Sequence, residues 1–587
     1  MTESILSSFR RLRETTPQRR IFTYVDDIGD DQDVLTVEQL GQAADRVVAA
    51  LRAWGFAPGD RAILVYPPSL DFIEAFLGCL AAGVIPVPVY PPNPFKLKKD
   101  LAGFASITAD AGARGALTTT GYDRSRSVGA VTTLISKDTP RWPALPWHRT
   151  DRLRDPAGPV VWHEPARLDQ PAFLQYTSGS TATPRGVIIS HGNLAHELAA
   201  NATDLGLGPH VRGVFWVPQY HDLGLISVIL STIAGNAQTT LMSPLTFLQN
   251  PAVWFDVMAR VRATHTAAPN FAYELAVRRT TPEQRARWDL RSLRTVMSAA
   301  EPIRQSTMDS FFAAFAGTGL TRDAFFPAYG LAEHTVSVSM GGSSVLRLDT
   351  AALESGRVVE SSDGVSIFGC GRVTKPAAVV RIVDPASRIP CEPGEVGEVW
   401  VDSPTKGLGY WGMAEQSYET FQARLAGGYD DGRGYLRTGD LGFFHDSELF
   451  ITGRSKDMII VRGRNLYPVD IEDSVRDCHP LIRPGGVAAF GADIEGSEQL
   501  VLFVEARRDR PSAAEADEIV QAVRRRVYAE FQLGCHAVVL GRAGTVRKTT
   551  SGKVRRLACR QAYLSGEVAG APTTIRVARS ASPLEVP

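Results

Sequence analysis

Three times in its first half the chain writes an apolar or amphipathic helix and follows it at once with a short apolar strand. Residues 36–55, TVEQLGQAADRVVAALRAWG, set Leu40, Ala44, Val47, Val48 and Leu51 at helical spacing, with Gly55 as the stop. RAILVY at 61–66 then reads as a buried strand. The run 75–90, AFLGCLAAGVIPVPVY, gives a buried helix ending near Gly83 and a second strand, and Pro86 and Pro88 break any membrane-spanning helix. In 251–268, AVWFDVMARVRATH leads into TAA. Helices alternating with buried strands pack as helix layers on a sheet, so the pattern sets an α/β fold class. A length of 587 residues implies more than one domain.

Beyond about residue 440 the pattern changes. Short turn-bounded strands such as DMIIVRG appear, then charged helical stretches including 513–531. Residues 541–587 hold nine Arg or Lys against two acidic residues, and their last stretch, from about 566, lacks periodicity and reads as a disordered tail. Lys plus Arg equals Asp plus Glu at 63 each, so no global field points to nucleic acid or an anionic membrane. The six cysteines are scattered without a C-x-x-C pair, which argues against a zinc site or a disulfide framework and for a reducing, cytoplasmic setting. MTESILSSFRRLRE has no apolar core of signal-peptide length.

The stretch YTSGSTATPRGV (176–187) lies between two strand-like runs, AFLQYT and GVIIS. Gly179 lets backbone N–H groups turn toward an anion, and Thr177, Ser178, Ser180 and Thr181 add hydroxyl donors. The spacing is not that of the P-loop, since no lysine follows the glycine. Alone, such a turn is more often an ordinary loop. Four further segments accompany it. FFPAYGLAEHT (325–335) ends a strand with Tyr329, Gly330 and Glu333; YLRTGDLGFF carries Asp440 in a turn; ELFITGRSKD carries Arg454, Lys456 and Asp457; VRKTTSGKVRRL carries Lys553 in a Gly/Ser/Thr loop.

Together and in this order, from about residue 20 to 565, these segments resemble the adenylate-forming superfamily of acyl-CoA synthetases, peptide-synthetase adenylation domains and luciferases. The resemblance implies a large multi-subdomain N-terminal domain over 1–453, a hinge at 454–456 and a small mobile α+β C-terminal domain over 457–565. It implies that a carboxylate attacks the α-phosphorus of ATP, giving an acyl-adenylate and pyrophosphate. The nucleophile is already ionised at neutral pH, so catalysis rests on positioning and on screening two anions. By resemblance, the 177–185 loop with Arg185 holds the β- and γ-phosphates, and Tyr329 with Gly330, Ala300 and Glu301 flanks adenine. Glu333 helps hold Mg²⁺, and Asp440 and Arg454 hold the ribose. Lys456 is the hinge, and Lys553 bridges the carboxylate and the α-phosphate.

Within the superfamily, VPVYPP (87–92), WVPQYHDLGLI (216–226) and IIVRGRNLYPVDIE (459–472) resemble the fatty acyl-AMP ligases. That branch implies a fatty acid substrate, His221 at the mouth of the acyl tunnel, and transfer to a separate holo acyl carrier protein or to a polyketide or peptide synthase. The interval from Glu333 to Gly369 is long, and 343–368 resembles the insertion that in this branch docks on the C-terminal domain. There Asp349 is placed to cap a short helix bearing Leu348, Ala352 and Leu353 and stopping at Gly356, and Leu346, Val358 and Val359 add apolar character. The basic residues Arg555, Arg556 and Arg560 would suit an acidic carrier. Three positions depart from the pattern: Ala182, Arg185, and His334, which stands where it could narrow the tunnel or touch the metal ligands. A fatty acyl-CoA synthetase and a non-catalytic adenylate-binding protein are the other readings.

Overall fold

The computed structural model describes residues 3–94, 97–133, 141–177, 184–461, 464–494, 497–549, 552–571 and 573–579. The helix–strand alternation is present. Val37–Ala53 is a helix with a Thr36/Gln39 capping box, followed by the strand Arg61–Leu64, shorter than the run suggested. Asp71–Ala82 ends at Gly83, whose φ of +74° supplies the left-handed cap, and Ile85–Pro88 follows as a strand. Ala252–Val261 leads into the strand His265–Ala268.

These strands build two α/β sheets. A four-stranded parallel sheet runs in the order Ile85–Pro88, Arg61–Leu64, Gly115–Thr118, Trp147–Arg149. The eight-stranded sheet has six parallel strands with an antiparallel strand on each edge. At its centre, Arg212–Phe215 pairs with Gln238–Leu241 on one side and with His265–Ala268 on the other. The chain therefore leaves the central strand first in one direction and then in the other. Such a reversal opens a crevice at the carboxyl ends of the strands. Residues 216–221, 269–271, 299–301 and 329–330 all lie at those ends.

A four-stranded antiparallel sheet follows, from Val379–Val383 to Glu448–Arg454. Residues from Ile459 onward have cores of their own, one under the helix Ala513–Phe531 and one under the helix Arg556–Leu564. Both rest on the sheet Ile482–Ile494, Ser497–Ala506, Ala537–Gly541, Thr574–Arg579.

That last strand corrects the expectation of disorder beyond 566. Thr574–Arg579 pairs antiparallel with Ala537–Gly541 and closes the edge of the sheet. Residues 580–587 lie outside the described residues. Asp440, expected in a turn, sits in the strand Leu436–His445. Gly439, at φ +71°, shifts the register beside it.

The 343–368 segment is a hairpin, Val345–Leu348 with Val365–Phe368, carrying the helix Thr350–Glu354 between its strands. Asp349 caps that helix through Ala352 N–H at 2.7 Å. Leu348 belongs to the hairpin strand rather than to the helix, and Val359 is exposed rather than packed. Leu346, Leu348 and Leu353 pack with Phe443 and Phe450, and also with Tyr467 from beyond residue 457. Glu354 forms a two-point ion pair with Arg464, at 2.9 Å for each bond.

Ending the chain at residue 571 removes the edge strand and exposes Ala537–Gly541. The melting temperature of this part should fall by roughly 4–8 °C for each kcal/mol lost, as read by circular dichroism. An unchanged melt would mean that the strand contributes nothing.

Candidate active site

The carboxyl ends of the central strands open into a cleft of ≈ 1110 Å³. Eight of the candidate catalytic and ATP-binding residues line it: His221, Ala300, Glu301, Tyr329, Gly330, Asp440, Arg454 and Lys553. Ala300 is held at φ +72°, a conformation rare for a residue with a side chain and a mark of a constrained site. Gly330 is required where it stands, because a Cβ there would lie 1.7 Å from the Val336 carbonyl oxygen.

On one wall Asp440 is the shared acceptor. Tyr329 Oη donates to Asp440 Oδ2 at 2.7 Å, and Arg454 Nε donates to Asp440 Oδ1 at 2.8 Å. Asp440 and Arg454 face each other across paired strands, so the sheet register makes this contact. Burial, and then the Asp440 charge, drive the Tyr329 phenol well above its usual value, so it stays a neutral donor.

Also on the cleft lining, His221 meets Asp222, Nδ1 to Oδ1 at 2.5 Å. Asp222 also accepts from Leu223 N–H at 2.7 Å, at the start of the π-helix Leu223–Leu230. Burial alone would raise the Asp222 carboxyl, but His221 and then Lys553 pull it below its usual range. Glu301 accepts from Phe271 N–H at 2.5 Å, and burial raises its pKa.

Lys553 enters from the loop before the helix Arg556–Leu564. Burial lowers its ammonium below 10.5, with Asp222 the leading opposing influence, ahead of Glu301 and Asp440. A lysine of the last hundred residues thus stands among groups from the N-terminal sheets.

Glu333 lies beside this cleft, in a single helical turn, Ala332–His334. Tyr410 Oη donates to Glu333 Oε1 at 3.0 Å, and the Arg185 guanidinium sits 5.3 Å from the Tyr410 ring centre. Thr177 pairs with Arg185 in the flanking hairpin. Ser178, Gly179, Ser180, Thr181 and Ala182 lie outside the described residues. Lys456 occupies an exposed turn, Ser455–Asp457, after the strand that bears Arg454.

Two expectations are corrected. His334 neither narrows a tunnel nor faces a metal site. It is buried, with Nδ1 2.7 Å from the Ser337 carbonyl and Nε2 2.6 Å from Ser403 Oγ. Arg556 is not a free basic surface residue. It is clamped by Glu472 at 2.8 and 2.7 Å and by Asp457 at 3.2 Å. Tyr410 and Asp222 were not singled out as site residues from the sequence. The glycine run KGLGYWG (406–412) is the one signal for Tyr410.

Among the described residues no three His, Cys, Asp or Glu side chains gather into a metal cage, and no helix is long and apolar enough to cross a membrane. A single carboxylate such as Glu333 suits Mg²⁺, which takes one or two protein carboxylates and completes its shell with phosphate and water.

The AMP-binding enzyme family matches residues 9–411, and the Disco-interacting protein 2-like AMP domain matches residues 456–571. The medium-chain-fatty-acid–[acyl-carrier-protein] ligase JamA of Moorena producens is 38% identical, with 93% of each chain covered. The long-chain-fatty-acid–AMP ligase FadD26 of Mycobacterium marinum is 36% identical over 96% of this chain and 97% of its own. The crystal structure of the fatty acid AMP ligase from Legionella pneumophila superposes with a TM-score of 0.71 at 33% identity, covering 98% of both chains. The chain belongs to the AMP-binding enzyme family and is an ATP-dependent ligase of the fatty acyl-AMP ligase kind.

Competitive acetylation with peptide mass spectrometry should find Lys553 titrating below 10.5. Asp222→Asn should lower it further, because it removes the leading influence that opposes burial. A Lys553 titration unmoved by Asp222→Asn would show that the two groups do not interact.

Proposed function

We propose that this ligase activates a fatty acid with ATP to acyl-AMP and pyrophosphate, then loads the acyl group onto the phosphopantetheine thiol of a separate carrier protein. The observation that carries this reading is Lys553, brought from the C-terminal part into the cleft lined by Tyr329, Asp440 and Arg454.

A fatty acid carboxylate and a triphosphate repel each other. The ionised carboxylate oxygen bonds to the α-phosphorus and pyrophosphate leaves, so no proton has to move. The Lys553 ammonium, between the two anions, offsets their repulsion and stabilises the charge that builds on the α-phosphoryl oxygens. Desolvation strengthens that interaction and makes the bare ammonium costly, so Lys553 gains most when both anions are present. Tyr329 offers a ring face to adenine and Asp440 offers carboxylate oxygens to ribose hydroxyls, with Arg454 fixing Asp440. The 177–185 segment and Arg185 take the terminal phosphates. His221, oriented by Asp222, stands where the fatty acid carboxylate enters. Glu333 would hold Mg²⁺, which when bound neutralises phosphate charge. In the second step the thiolate sulfur bonds to the acyl carbon and AMP departs.

Coenzyme A carries the same thiol, so the choice of acceptor depends on how the C-terminal part, residues 457–565, turns about Lys456. The 343–368 hairpin favours the carrier-protein reading, because it packs on Tyr467 and pairs with Arg464. A cytoplasmic enzyme feeding polyketide, peptide or lipid assembly fits this chemistry.

Lys553→Ala should slow acyl-AMP formation by about 10²–10³-fold, measured as pyrophosphate release, and slow transfer from preformed acyl-AMP much less. Equal losses in both steps would remove the assigned role. Efficient acyl-CoA formation by the parent enzyme would make it an acyl-CoA synthetase instead. Replacing 346–362 with a short linker should raise acyl-CoA formation while leaving adenylation intact, as followed by mass spectrometry of the products. No gain in acyl-CoA with normal adenylation would show that the hairpin does not select the acceptor.

A further inference from the structure

Behind Glu333 lies a buried ion pair that the chemistry above does not use. Glu197 and Lys375 are 0% and 6% exposed, and their charged ends are in direct contact. Glu197 Oε1 accepts from Ser337 N–H at 3.2 Å and from the Ser337 hydroxyl. Lys375 Nζ donates to the Ser337 carbonyl, and also to Thr405 Oγ1 at 3.4 Å. One charged pair therefore grips both backbone polar groups of Ser337. The same carbonyl faces His334 Nδ1, so the proton sits on Nδ1, and Nε2 accepts from the Ser403 hydroxyl.

The turn held in this way is strained. Thr335, a β-branched residue, adopts φ +67°. Its hydroxyl donates to the Thr405 carbonyl at 2.6 Å. Glu333 has one backbone tether of its own, Gly407 N–H to the Glu333 carbonyl at 2.9 Å. Both tethers lead to 403–407, and one helix, His191–Asp204, fixes that segment and the turn together. Asn193 Nδ2 donates to the carbonyls of Pro404 and Lys406, each at 2.8 Å. Glu197, four residues on and so on the same helix face, holds Ser337.

A buried ion pair is no more stabilising than well-packed apolar residues of the same size, so its use here points to what it orders. We propose that Glu197 and Lys375 are positioning residues that fix the direction of the Glu333 carboxylate toward the metal–triphosphate group of the nucleotide. The proposal rests on the reading of Glu333 as the Mg²⁺ carboxylate. No proton or electron is exchanged. Two hydrogen-bonded ions hold the turn 334–337, and the turn sets where Glu333 points.

The double variant Glu197→Gln/Lys375→Met replaces the pair with neutral groups of similar size and leaves no buried charge alone. Mn²⁺ is titrated in the presence of a non-hydrolysable ATP analogue, with the free ion read by electron paramagnetic resonance. The variant should bind the ion about 10- to 100-fold more weakly than the parent, with an unchanged melting temperature and an unchanged KM for the fatty acid. Unchanged Mn²⁺ binding overturns the proposal. So does a loss matched by an equal loss of metal-free nucleotide binding, because that is a structural role only. Glu333→Gln separates the two layers. If it leaves Mn²⁺ binding intact, the reading of Glu333 fails and the proposal falls with it. If it weakens binding and the double variant does not, only the positioning role falls. Should the double variant not fold, Ser337→Ala, which loses one bond to Glu197 and keeps the ion pair, should weaken Mn²⁺ binding in the same direction, and no change there also overturns the proposal.

Discussion

The lysine loop that reaches the cleft is tied to the rest of the C-terminal part by one largely buried guanidinium. Arg556 grips both carboxylate oxygens of Glu472, at 2.8 and 2.7 Å, and reaches Asp457 at 3.2 Å. Glu472 belongs to the helix Pro468–Arg476 and also accepts from Ala489 N–H at 3.0 Å. Asp457 closes the turn that carries Lys456. Three residues before Arg556 stands Lys553. The clamp thus ties the lysine loop, the turn Ser455–Asp457 and the C-terminal sheet into one piece. Removing one partner of such a buried pair costs about 3–5 kcal/mol, because the other charge is stranded. A planar fork meeting two carboxylates explains why arginine rather than lysine serves here.

The N-terminal part solves the opposite problem. The six parallel strands of its eight-stranded sheet point their carboxyl ends at one crevice, so groups that line the cleft come from separate chain segments. Asp440 and Arg454 are aligned by register across two antiparallel strands. Tyr329 arrives on the edge of the parallel sheet and joins them through one hydrogen bond. A rigid wall on this side and a clamped, separately cored unit on the other is an arrangement in which one side can turn while the other stays in place.

The parts of this site that were legible in the sequence share a property: their residue type and their neighbours along the chain carry the signal. Tyr329, Gly330, Glu333, Asp440, Arg454 and Lys553 stand in short motifs, and Tyr329 and Gly330 close a strand of the eight-stranded sheet. What was not legible depends on partners far away in sequence. His334 is fixed by Ser403 and Thr405, 69 and 71 residues downstream. Arg556 looked like a surface charge because Glu472 lies 84 residues upstream. The edge strand TIRVAR gives little sequence signal, because its alternation is short and set among small residues. Ile575 and Val577 were its only apolar signal, and Ile575 packs against the domain core.

The hairpin at 343–368 shows why the balance of terms matters. Its ion pair with Arg464 is conspicuous, but Arg464 is 38% exposed, and a pair in that setting contributes about 0–1 kcal/mol. Leu353 is 2% exposed, and burying such a side chain contributes about 1.5–3 kcal/mol. The apolar contact with Tyr467 and the strands behind it therefore sets most of the hold, and the ion pair sets its direction. Phe443 and Phe450 belong to the N-terminal part, so much of the Leu353 burial is kept if the C-terminal part turns, and the contact with Tyr467 and the ion pair are what such a turn would break.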